Sequence, residues 1–76
     1  MLTPKQVIDA YFLEARHQLL EVAALLDRYD AAVALAAGRD AGDPRLAALH
    51  EALAVLADRT PAGERTVALL DLFAKT

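Results

Sequence analysis

Apolar residues recur through the first half of the chain at Ile8, Phe12, Ala15, Leu19, Val22, Leu26, Tyr29 and Val33, in alternating steps of four and three. That is the period of one helix face, held in a single heptad register. A turn inserted at Tyr29-Asp30 would break it. The pattern therefore predicts one continuous helix over about 4–36, with Gly38 placed to terminate it. The competing reading breaks the helix near Asp30 and makes a three-helix bundle of shorter elements. Gly38 to Gly42 reads as a loop. Leu46, Leu49, Leu53 and Leu56, spaced three, four and three, predict a second helix over about 44–58. A third is expected over about 61–74, with Gly63 a weak spot in its first turn.

The three starts carry the same mark. Thr3-Pro4, Asp43-Pro44 and Thr60-Pro61 each set a side-chain acceptor before a proline, and these are all the prolines of the chain. The acceptor caps a free backbone N–H, and proline lacks the N–H that would be orphaned there. At 1.5 Å per residue the first helix is about 50 Å long and the other two about 22 Å each. The two short helices together match the long one. The expected architecture is all-α, one small helical domain over residues 1–76, with the long helix covered by the two short ones. Composition agrees. The chain of 76 residues is 57% apolar, mostly Ala and Leu, with few β-branched residues.

So short a chain has little core, and it has no cysteine to supply a disulfide. Oligomerisation is the expected support, for two reasons. First, the long helix carries another stripe, Leu13, His17, Leu20 and Ala24, with Ala31 one heptad further. It is centred roughly 150° round from the first stripe, so one partner element cannot cover both. His17 sits in this stripe as a polar residue able to set register. Second, the third helix is apolar around much of its circumference. Val67, Leu69, Leu70, Leu72 and Phe73 leave a narrow polar face of Glu64, Asp71 and Lys75. A homodimer, completing a helical bundle through Leu13, His17, Leu20, Ala24, Leu69, Leu72 and Phe73, is the expected association.

Charge narrows the partners. Eight Lys and Arg against eleven Asp and Glu give a net charge of −3. The arginines are scattered, and a nucleic-acid backbone demands a concentrated basic face, so nucleic acid is not an expected partner. The longest uncharged run, Ala31 to Gly38, is too short to span a membrane. No signal-peptide pattern is read at the N-terminus, so the default address is cytoplasmic.

Catalytic chemistry is sparse. Without Ser or Cys, and with only four threonines, a covalent nucleophile has little to draw on. Gly38, Gly42 and Gly63 make neither a phosphate-cradling loop nor a dinucleotide fingerprint. The expectation is a non-enzymatic protein without a cofactor, a self-associating interaction module or accessory subunit. One constellation offers an alternative. Glu14-Ala15-Arg16-His17 is similar to the Glu-x-x-His element of di-iron helical bundles, and Glu21 follows one turn later. Such bundles use two of these elements and two further Glu. The resemblance implies a metal site built across a dimer from Glu14 and His17, with Glu51 as a bridging ligand. The plainer reading of Glu14, His17 and Glu21 is a solvated face with weak intrahelical pairing, and His50 is a flank position on the second helix.

Overall fold

The computed structural model describes all residues 1–76 and contains three helices and no strand: α1 (Pro4–Leu35), α2 (Pro44–Ala57) and α3 (Arg65–Ala74). The chain divides into two compact units, Met1–Arg39 and Asp40–Thr76. The first holds α1, and in the second α2 and α3 pack against each other. No helix is long and apolar enough to cross a membrane.

α1 runs unbroken through Tyr29-Asp30, as the uninterrupted apolar register requires. Its start is a reciprocal cap. Thr3 Oγ1 accepts from the Gln6 backbone N–H at 3.2 Å, and Gln6 Oε1 accepts from the Thr3 N–H at 2.8 Å. Two donors that a helix N-terminus leaves orphaned are thereby satisfied. Its end is a Schellman turn. Gly38 N–H donates to Val33 O at 3.0 Å and Ala37 N–H to Ala34 O at 3.3 Å. The expected glycine stop is shifted by one residue. Ala37 takes the first left-handed position, with φ 52°, and Gly38 follows at φ 81°. Asp40 and Gly42 are left-handed too, at φ 61° and 91°.

α2 starts as expected at Asp43-Pro44. Asp43 Oδ1 accepts the Arg45 N–H at 2.9 Å, and the Arg45 guanidinium grips both carboxylate oxygens, at 3.1 and 2.8 Å. These hydrogen bonds to the charged form hold the Asp43 carboxyl well below its usual range, at about 2. The same pairing raises the Arg45 pKa.

Two details of the second unit differ from expectation. The third helix begins at Arg65 rather than Pro61, with Glu64 as its N-cap residue and no side-chain cap bond. Asp58 organises the connection instead. Its Oδ1 accepts the Thr60 N–H at 3.0 Å, and its backbone carbonyl accepts Arg65 Nε at 3.1 Å and Arg65 Nη2. Gly63 would have stood in the first turn of the expected helix, where it costs about 1 kcal/mol relative to Ala. The buried face of α2 also differs. The expected leucine seam stays partly open, with Leu49 and Leu56 classed among the exposed large apolar residues. The buried side chains are Ala48 and Ala52, at 8% and 6% exposure. They stand one turn apart, roughly a quarter to a third of the circumference round from the leucines. Small side chains on one stripe let helix backbones approach closely, so the contact forms there.

Candidate functional site

The residues singled out as a site concentrate on α1, and none of the side chains of that helix is buried. Of its first stripe, Leu26, Tyr29 and Val33 are half-covered, while Ile8, Phe12, Leu19 and Val22 are exposed. The second stripe is open as well. Leu13 is 78% and Leu20 54% exposed, and Leu19 on the first stripe reaches 59%. A 32-residue helix thus presents two apolar rows to its surroundings. Burying a leucine is worth about 1.5–3 kcal/mol, so this exposed apolar surface is large in energetic terms.

The second stripe has relief. His17, Leu20, Glu21, Ala24, Leu25 and Arg28 line an open depression of about 430 Å³ on the surface of α1. Its apolar floor comes from the small Ala24 between larger neighbours, and charged side chains rim it. His17 Nε2 pairs with Glu21 Oε1 at 3.2 Å, both side chains largely exposed. Glu14 Oε1 accepts from Gln18 Nε2 at 3.4 Å. Lys5 and Asp9 form a further exposed i,i+4 pair at 2.8 Å. Such pairs each contribute a few tenths of a kcal/mol.

The metal alternative named Glu14, His17 and Glu51. Glu14 and His17 stand on adjacent turns of α1 but turn to different partners, Gln18 and Glu21. Glu51 belongs to α2 in the second unit. No group of three or more His, Asp or Glu side chains is arranged to hold a metal ion.

Of the α3 residues expected at an interface, Leu69 and Leu72 are half-buried within the chain. Phe73 is exposed, and so are Val67 and Leu70. The open apolar surface of α3 therefore lies at Val67, Leu70 and Phe73 more than at Leu69 and Leu72. In the second unit a groove of about 870 Å³ runs between α2 and α3, floored by Ala54, Val55, Pro61, Val67 and Ala68 and rimmed by Glu51, Asp58, Glu64 and Asp71. Sequence periodicity did not reveal it, because it follows from the bent, non-helical 58–64 connection that replaces the expected first turn of α3.

Compared with known proteins, the chain matches no family model, no curated protein and no solved structure.

Proposed function

We propose that the protein is a small non-enzymatic helical module that self-associates through α1 and serves as an interaction or accessory subunit. One observation carries this reading: α1 is continuous over 32 residues, bears two apolar stripes and buries none of its side chains. In this reading the two stripes have different roles. The first, through Leu19, stays outside the interface between copies. The second, through Leu13, His17, Leu20 and Ala24, serves a second copy. The apolar α3 surface around Phe73 adds to the same association.

The test compares two adjacent substitutions. Leu20→Glu puts a carboxylate on the second stripe, where it must keep its water and so opposes any partner covering it. It is expected to keep the parent's helix content and to associate at least about tenfold more weakly. Leu19→Glu puts the same charge on the first stripe and is expected to lower the melting temperature. Sedimentation equilibrium and thermal circular dichroism read the two effects separately. Equal outcomes for both variants would defeat the division of stripes, and a parent that stays monomeric would defeat self-association.

A further inference from the structure

We infer that two copies of α1 pair antiparallel along the second stripe, with the two-fold axis level with Val22. The inference rests on the self-association proposed above and adds its orientation and register. Its basis is that the stripe and both its flanks are complementary to their own reverse. With the axis at that level, Leu13 faces the partner's Ala31 and Leu20 faces the partner's Ala24. Every leucine of the stripe meets an alanine, so each apolar layer joins one large and one small side chain, the condition for close packing without voids. The depression floored by Ala24 receives the partner's Leu20. The remaining layer brings His17 against the partner's Asp27.

The flanks agree with the core. On one side Glu14 meets the partner's Arg28, and on the other Arg16 meets the partner's Asp30. Two-fold symmetry doubles each pair. All four of these side chains are exposed on α1 and free to turn to such partners. Glu21 meets its own copy near the axis, the one like-charge contact of this register. Each Glu21 already pairs with His17 Nε2 of its own chain at 3.2 Å.

The alternatives are poorer. A parallel in-register pair gains an Arg16–Glu21 match, but it sets Asp27 against the partner's Asp27, His17 against the partner's His17, and Asp9 against the partner's Glu14. A heptad slip of the antiparallel pair in one direction sets Glu14 against the partner's Glu21 and Asp9 against the partner's Asp30. The opposite slip sets Asp27 against the partner's Ala24 and keeps only a Glu21–Arg28 match. Exposed flank charges add little affinity, but they penalise wrong orientations and so fix register. The apolar layers supply the binding.

Glu14 and Arg28 are 14 residues apart on one helix, about 21 Å, too far for the two to influence each other within a chain. Coupling between them therefore reports on the dimer. Glu14→Arg and Arg28→Glu are each expected to weaken dimerisation about tenfold, and the double variant to return to within about threefold of the parent. A second measurement leaves the charges untouched. The chain has no cysteine, so Leu20→Cys and Ala24→Cys variants can be mixed and oxidised. The mixed disulfide is expected to dominate over both homodisulfides. Additive charge effects, or homodisulfides dominating the mixture, would overturn this register while self-association stands. A parent that is monomeric at every concentration tested would overturn both, leaving the stripe to a different protein.

Discussion

Ala37 occupies a backbone conformation that suits glycine. Its φ of 52° lies in the left-handed region, where an L side chain crowds the following carbonyl at a cost of about 1–2 kcal/mol. The Schellman hydrogen bonds that cap α1 hold it there. Glycine at this position relieves the crowding and gives back part of the gain as unfolded-chain entropy. Ala37→Gly is therefore expected to stabilise the protein by about 0.5–1 kcal/mol, a rise of several degrees in melting temperature at this size. Thermal circular dichroism checks it, and an unchanged or lowered melting temperature would contradict it. The sequence signal here, Gly38, marked the stop within one residue. It could not assign the left-handed position, because four of the six residues from Ala37 to Gly42 take positive φ and only two of those are glycine.

At the level of elements, α1 was legible because its apolar register never breaks, and the continuous helix through Asp30 follows from that alone. The continuity has a direct test. Ala32 lies in the last turn of α1, between the first-stripe positions Tyr29 and Val33. Proline there deletes a hydrogen bond and clashes with the preceding turn, so Ala32→Pro is expected to cost about 3 kcal/mol or more. A variant melting near the parent would mean that a new helix starts at Asp30, whose first turn tolerates proline. α3 was less legible. Thr60-Pro61 resembles the two starts that do form, but Asp58 captures the Thr60 amide and the Arg65 guanidinium, and Gly63 weakens the turn between them. Local signals name a start, and competing hydrogen bonds decide whether it is used. The same limit applies to α2. Its leucines announced a seam by size, whereas the buried stripe is set by how closely backbones can approach at Ala48 and Ala52.

For the whole molecule, two buried alanines are a very small interior for 76 residues. A chain that keeps its leucines largely at the surface draws stability from whatever covers them. If that cover is a second copy, stability depends on concentration by mass action. The melting temperature is expected to rise by a few degrees for each tenfold increase in protein concentration, which scanning at several concentrations would show. A melting temperature constant over a hundredfold range would mean that the monomer holds its own fold. The candidate face was legible as far as its stripes, since spacing alone puts Leu13, His17, Leu20 and Ala24 in one row. The depression at Ala24 and the cap at Ala37 emerged only with three-dimensional geometry, because both depend on backbone path and on side-chain size relative to neighbours.

The hydrogen bonds of α1 and its two caps close entirely between Thr3 and Arg39. Its 32 residues are well beyond the roughly 12–15 below which isolated helices are marginal. Each of these hydrogen bonds is formed within the first unit. A peptide of residues 1–39 is therefore expected to hold helix in isolation, which circular dichroism would show. The pairing surface can then be weighed without α2 and α3, by sedimentation of that peptide.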